Sequence, residues 1–341
     1  MAAATFWLAL GMLVMGTKTT KAITVDTVTV GDAGNLSDST GQGAVSYDYN
    51  IGITEVNIYQ YTAFLNAVAA SDPFGLYNPA MATDANIRGI TRSGLSGSFT
   101  YSVMGSGYRP VTYVSWFDAA RFANWMANGQ PTGAQENTTT ENGAYSLFGA
   151  TSGVGFTKNA INPNTGTATT WWIPSEDEWY KAAYYDPSAS GPVGDYWLFP
   201  TRSDDVPGNF IGPQPNHANH RSWATGLYSV TGEPNYSPSD NYLSDGGAFT
   251  GSASYYGTFD QGGNVGEWTD TAFGSAREVR GGNWAFDELP MQSDFSMLRD
   301  PTFENSELGF RLATVPEPSV VLLLVMAGAA HGLKRRQRSR E

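Results

Sequence analysis

The sequence predicts a loop-rich α+β fold that contains few helices and short strands. The 341 residues include 39 glycines and 18 prolines, which favour turns over long regular elements. Some segments alternate apolar and polar residues, as strands do, whereas others repeat at helical spacing. Aromatic residues make up 13% of the chain, which excludes disordered, collagen-like and coiled-coil classes. No internal repeat or linker divides the body, so we expect one domain.

The first predicted elements are two strands and a helix. Residues 23–30 alternate apolar and polar side chains, and residues 47–53 form a second strand candidate. From residue 54 the spacing becomes that of a helix with one buried face. The apolar residues of this face are Tyr61, Phe64, Leu65 and Val68.

Two further helices have clear starting signals. Ser115 is a good N-cap, and Gly129 is placed to end the helix that follows it. Ser175 and Glu178 form the pattern of a capping box for a shorter helix that runs to Tyr184. Residues 131–168 between these helices are a long polar insertion.

The two ends of the chain differ from the body. Residues 6–15 are an apolar stretch of secretory-signal length, and we expect an export signal over residues 1–22. Residues 315–341 contain Pro316, Glu317 and Pro318, then a short apolar segment and an arginine-rich end. This tail resembles the bacterial PEP-CTERM sorting signal, whose partner is an envelope sorting transpeptidase of the exosortase type. The alternative is a plain C-terminal membrane anchor.

Both interpretations of the tail predict an exported protein of the cell envelope or the extracellular space. The folded domain then covers residues 23–314, and the tail holds a short transmembrane segment. The net charge of −13 includes seven basic residues located in the two end segments, so the domain itself is still more acidic. Such a surface repels nucleic acid, which we exclude as a partner.

The body contains an ordered series of motifs. They are GITEV at 52–56, RPVTYVSWFDAA at 109–120, IPSEDEW at 173–179, YGTFDQGGNVGEW at 256–268, VRGGNW at 279–284 and GFR at 309–311. In this order they resemble the sulfatase-modifying-factor family, whose members include the formylglycine-generating enzyme. The resemblance implies a fold related to the C-type lectins, with few helices packed on short antiparallel strands.

The chain departs from this family in its chemistry. Active members use two cysteines after the RGGSW-like motif to hold copper and oxidise a substrate cysteine. Phe286 and Met291 stand near those positions here, and the chain contains no cysteine at all. Neither side chain can supply a thiolate. We therefore expect no formylglycine generation, no catalytic residues of that kind and no copper.

Calcium is the metal that the resemblance supports. The matching ligands are the side chains of Asp260 and Glu267 and the backbone carbonyls of Gly263 and Val265. Calcium prefers such oxygen ligands on tightly turning backbone.

The alternative to calcium is that Glu267 caps a turn or pairs with Arg280 or Arg311. We expect Arg280 and Arg311 to be buried ion-pair partners that brace loops. The motif tryptophans are predicted to lie in the core, and they are Trp116, Trp179, Trp268 and Trp284. Aromatic residues of the variable loops that could stack on sugar rings are Tyr196, Trp197, Trp223, Tyr236, Tyr255 and Tyr256.

The leading hypothesis is a non-catalytic binding or surface-matrix module stabilised by Ca²⁺, with an extracellular polysaccharide or a surface protein as partner. The alternative is a metal-dependent or acid/base enzyme that uses the same pocket without a thiol. Its candidate residues are Asp287, Glu288 and Asp294, and the test is whether they converge with His217 or His220 in one cleft.

Overall fold

The computed structural model describes residues 22–189 and 195–316. Nearly all of the predicted export signal lies outside these residues. Pro316 of the sorting motif is described, whereas Glu317, Pro318 and the apolar segment after them lie outside. No helix within the described ranges is long and apolar enough to cross a membrane.

The first sheet joins the two ends of the domain. Its strands in spatial order are β1 (Thr27–Val30), β2 (Tyr49–Gly52), β12 (Ala313–Thr314) and β5 (Trp171–Trp172). All pairs are antiparallel, with Ala313 opposite Ile51 on one side and Trp172 on the other. The end of the domain is therefore an inner strand of this sheet. Both predicted N-terminal strands are confirmed, at shorter lengths.

The second sheet carries parts of three of the motifs. Its strands in spatial order are β10 (Met297–Arg299), β9 (Ala276–Arg280), β8 (Gly266–Phe273) and β11 (Leu308–Gly309). Strand β11 runs parallel to β8, and the other pairs are antiparallel. Two small hairpins pair β3 (Ile90–Ser93) with β4 (Thr100–Val103) and β6 (Tyr185–Asp186) with β7 (Asp195–Tyr196).

The helices are α1 (Ile58–Val68), α2 (Ala80–Thr83), α3 (Trp116–Ala127) and α4 (Glu176–Tyr184). Short π and 3₁₀ turns cover Asn137–Glu141 and Leu289–Met291. Ser115 and Ser175 cap α3 and α4 through capping boxes, as predicted. Helix α1 starts later than its pattern suggested, because Asn57 and Gln60 form its capping box.

The polar insertion after α3 is packed into the domain. Glu141 is buried and accepts a hydrogen bond from Arg121 Nε at 2.7 Å. Asn124 Nδ2 on α3 donates to the carbonyls of Thr140 at 2.7 Å and Tyr145 at 2.9 Å. Long-range partners of this kind give no signal in local sequence, so only a polar segment could be predicted here.

The four motif tryptophans lie in the core, as predicted. Trp116, Trp179 and Trp268 are fully buried, and Trp284 is 5% exposed. The Arg277 guanidinium carbon lies 3.7 Å from the Trp116 ring centroid. The VRGGNW and GFR motifs reach strands β9 and β11 on either side of β8, which carries the end of the GNV-x-EW motif, so the motif residues mostly build the interior.

Several carboxyl groups are buried in this interior. Burial raises the pKa of Asp118 to about 7, with Glu304 adding to the effect. Burial also raises the pKa of Asp270 to about 7, although Arg277 opposes it. Burial and a hydrogen bond with Glu176 raise the pKa of Glu278 to about 8. The folded state therefore holds protons that the unfolded chain releases near pH 4.

We expect the melting temperature to decrease as the pH rises from 5 to 8. Because these folded-state pKa values are raised, their contribution to stability is full below pH 4 and is lost as the pH rises through about 7 to 8. Calorimetric melting in 0.5 M NaCl would check this, since salt screens surface repulsion more than buried groups. Asp118→Asn should make the melting temperature less dependent on pH, because it removes one of these titrating groups. A melting temperature that rises from pH 5 to pH 8 in high salt would contradict the prediction.

Candidate functional site

A cleft lies beside Phe286, one of the two residues that the resemblance aligns with family cysteines. Its volume is about 230 Å³. One wall is formed by Arg221, Ser222 and Trp223, and the other by Ala285, Phe286 and Asp287. Trp223 is 79% exposed and Phe286 is 44% exposed, so both aromatic faces are available to a ligand.

Backbone hydrogen bonds hold the two walls together. The Arg221 N–H donates to the Phe286 carbonyl at 2.9 Å, and the Trp223 N–H donates to Glu288 Oε2 at 3.0 Å. The Asn283 side chain accepts from the Phe286 N–H at 3.2 Å, which shapes the turn after the RGGNW segment. The cleft is therefore braced by the backbone and by one carboxylate.

Phe286 and Met291 have different surroundings. Phe286 lines the cleft, whereas Met291 is fully buried in a small apolar cluster with Phe199 and Ala218. The Tyr184 hydroxyl donates to the Met291 carbonyl at 3.0 Å. Met291 thus serves packing and Phe286 faces the cleft, and neither offers a thiol.

His220 lies behind the cleft beside Glu288. The His220 Nδ1 atom is 3.7 Å from Glu288 Oε2, and His220 Nε2 lies 3.2 Å from the Pro207 carbonyl. Nδ1 has no hydrogen-bond partner in the described part of the chain. Burial lowers the pKa of His220, although the Glu288 carboxylate opposes this.

The other candidate acid/base residues are dispersed. His217 Nδ1 accepts a hydrogen bond from the Phe210 N–H at 2.9 Å and lines a different small cavity. Asp287 lines the cleft, whereas Asp294 lines a separate cavity on the sheet of β8, β9 and β10. The predicted carboxylates and histidines therefore do not converge in one cleft.

A buried ion pair dominates the GNV-x-EW region. Arg311 Nε lies 2.6 Å from Glu267 Oε2, and Arg311 Nη2 lies 2.6 Å from Glu267 Oε1. Trp179 Nε1 also donates to Glu267 Oε2 at 2.8 Å. Both members of the pair are fully buried, so the predicted role of Arg311 as an ion-pair partner is confirmed.

Arg280 is also a buried ion-pair partner, as predicted. Its Nη2 contacts the Glu176 carboxylate. The alternative for Glu267, pairing with an arginine, is therefore realised through Arg311 and not through Arg280.

Two more carboxylates lie near the Arg311 pair. Burial raises the pKa of Glu55 well above its usual range, and the charges of Asp260 and Glu267 add to this. Burial raises the pKa of Asp260 to about 6, although a hydrogen bond from the Gly247 N–H at 2.6 Å opposes it. One guanidinium thus faces three carboxyl groups, which leaves excess acidity in a buried place.

The predicted calcium ligand Glu267 already has both carboxylate oxygens engaged by Arg311. Asp260 and Glu267 belong to the same buried group, and Glu55 Oε2 has no hydrogen-bond partner among the described residues. No three histidine, aspartate or glutamate side chains of the described ranges are grouped to hold a metal. The predicted calcium site needs only two such side chains, because the carbonyls of Gly263 and Val265 are its other ligands. Calcium there stays a prediction.

Some features of these sites were missed by the sequence analysis. Trp223 was noted only as one of several loop aromatics, and Arg221 was not noted at all. Their place opposite Phe286 depends on a contact across 65 positions, between Trp223 and Glu288. Glu55 was predicted only as part of a motif, because its neighbours Thr54 and Val56 give no clear pattern of burial.

Comparison with known proteins agrees with the motif resemblance. The family model of the sulfatase-modifying factor enzyme 1-like domain matches residues 2–315. No curated protein matches.

Solved structures with a similar fold include CarF, at 21% identity and a TM-score of 0.47, covering 86% of this chain and 99% of that one. Variable protein 1 of Treponema denticola has 19% identity and a TM-score of 0.47, with coverages of 87% and 98%. PvdO from Pseudomonas aeruginosa has 16% identity and a TM-score of 0.42, with coverages of 86% and 92%. These likenesses concern the fold alone. On the match of the family model across most of its length, the chain belongs to the sulfatase-modifying factor enzyme 1-like family.

Proposed function

We propose that the protein is a non-catalytic binding or surface-matrix module of the bacterial cell envelope that uses the cleft between Trp223 and Phe286. One observation carries the proposal: a phenyl side chain lines the cleft where the family reaction needs a thiol, in a chain without cysteine. The cleft is open to solvent, although it contains no thiol for the family reaction. Binding is the function that such a pocket can still perform.

The cleft wall suits a ligand with flat apolar faces and polar edges. Trp223 and Phe286 offer exposed rings, and Arg221 and Asp287 offer a hydrogen-bond donor and an acceptor beside them. Sugar rings and aromatic peptide side chains both have this character. An extracellular polysaccharide or a surface protein is therefore the proposed partner.

The proposed location rests on the sequence of the two ends. An export signal over residues 1–22 and a PEP-CTERM tail over residues 315–341 would bring the domain outside the cytoplasm. Processing of that tail would require the exosortase-type transpeptidase. The acidic composition of the domain agrees with neutral or basic partners.

The acid/base enzyme has little support beside this proposal. Among the candidate residues only His220 and Glu288 lie together, at 3.7 Å, whereas Asp287 lines the cleft and Asp294 lines a separate cavity. An acid/base mechanism needs its groups within reach of one reacting atom. We therefore do not favour it.

Calcium is proposed as a structural ion, with no copper. It would be held by Asp260 and Glu267 together with the carbonyls of Gly263 and Val265. Its charge would offset the surplus of buried carboxylates around Arg311, which is the observation that supports it. When bound, the ion supplies electrostatic stabilisation to the loop and takes no part in a reaction.

The full-length protein should give no aldehyde product when it is incubated with copper and a cysteine peptide of sulfatase type. The reason is that no thiol is present to hold copper or to exchange with the substrate. Mass spectrometry of the peptide would measure the product, and an active family member is the positive control. An aldehyde formed at the rate of that control would contradict the proposal.

Trp223→Ala and Phe286→Ala should each weaken binding to the extracellular polysaccharide isolated from the producing cells by about tenfold. Both residues are exposed, so the variants should fold normally. Phe210→Ala is the matched control, because Phe210 is 61% exposed but does not line the cleft. Co-sedimentation would measure binding. Unchanged binding by both cleft variants would refute the role of the cleft.

Removal of calcium should lower the melting temperature, and added calcium should restore it. Asp260→Asn should lose this response, because it removes one proposed ligand, whereas Asp205→Asn at an exposed position should keep it. Metal analysis by mass spectrometry and melting with and without chelator would measure both. No bound calcium together with an unchanged melting temperature would end the calcium proposal.

A further inference from the structure

A second cavity lies on the sheet of β8, β9 and β10, and it shares no lining residue with the cleft at Phe286. Its volume is about 350 Å³, within the range typical of small-ligand sites. The residues that matter for its chemistry are Glu176, Glu278, Arg280, Asp294, Phe273 and Leu298. The cavity combines a charged floor with an apolar rim.

The floor is an acid pair joined to an arginine. Arg280 Nη2 contacts Glu176 Oε1 and lies 3.4 Å from Glu278 Oε1. Arg280 Nη1 donates to the carbonyls of Ser293 at 2.9 Å and Phe295 at 2.8 Å. The terminal nitrogens of the guanidinium are therefore already engaged. An anionic ligand would find no free cation here.

The acid pair also lacks the character of a metal site. Because burial and the Glu176 hydrogen bond raise the pKa of Glu278 to about 8, Glu278 holds a proton near neutral pH. Arg280 pairs with Glu176. No grouping of three metal-ligating side chains occurs among the residues that the structure describes. The floor thus presents a hydrogen-bond donor and acceptors with little uncompensated charge.

The rim supplies an apolar surface next to these polar groups. Phe273 at the end of β8 is 70% exposed, and Leu298 on β10 is 44% exposed. Asp294, Thr40 and Ser296 add further polar groups around the opening. A ligand ring can stack its C–H groups on the phenyl face. Hydroxyls at the edge of that ring can hydrogen-bond with the neighbouring carboxyl and hydroxyl groups.

We propose that this cavity binds a neutral sugar ring, with its apolar face against Phe273 and its hydroxyls on Glu176, Glu278 and Asp294. The volume suits one ring and not a long chain. The site is independent of the proposed cleft, since the two share no residue. The protein would then carry two separate ligand sites.

Ligand-observed NMR on the full-length protein tests the site, with glucose, galactose, mannose and N-acetylglucosamine as probes at millimolar concentration. At least one of them should show saturation transfer from the protein. Phe273→Ala should weaken the affinity for that sugar by about tenfold. Asp294→Asn should also weaken it, and both residues are exposed, so folding should be preserved. Phe148→Ala, at a residue that is 64% exposed and outside the cavity, is the matched control.

Three outcomes would overturn this inference. The first is no transfer to any of the four sugars, and the second is binding that Phe273→Ala leaves unchanged. The third is binding of glucosamine more than tenfold tighter than glucose, which would identify an ammonium site in place of a neutral sugar site. Loss of sugar binding in Trp223→Ala alone would assign the signal to the cleft, so the two proposals are separable.

Discussion

The buried pair of Arg311 and Glu267 is the interaction on which the structure depends most. Arg311 also donates to the carbonyls of Gly52 and Phe259, both at 2.9 Å, and therefore ties the end of the chain to its beginning and to the second sheet. Loss of one member would leave a charge in a fully buried place, which costs about 3–5 kcal/mol in comparable pairs. Both sheets and the GNV-x-EW loop meet at this one guanidinium.

Other motif residues also form buried pairs and hydrogen bonds that hold the fold together. Glu176 and Arg280 pair with each other, Glu178 accepts hydrogen bonds from the Trp172 indole at 3.0 Å, and Glu267 holds Arg311. Each of these motif residues has a structural task that does not involve a thiol. These motif residues therefore help to specify the fold.

The sequence predicted what is local and missed what is distant. Helix caps at Ser115 and Ser175 and the buried tryptophans follow from short patterns, so they could be recognised. The arginine ion pairs were expected as a type, but the choice of Arg311 for Glu267 required the sheet that brings β8 and β11 together. The walls of the cleft and the floor of the second cavity join loops that are distant in sequence, and no periodicity encodes such contacts.

The position of β12 has a mechanical consequence. Ala313 and Thr314 are paired on both sides, with β2 and with β5, and residues 315–341 follow them directly. If the protein is attached to a surface through this end, a pull on the attachment loads an inner strand, whose hydrogen bonds to two neighbours share the force. An edge strand would instead peel from one partner. The domain can therefore bear tension at its C-terminal end without opening from the margin of the sheet.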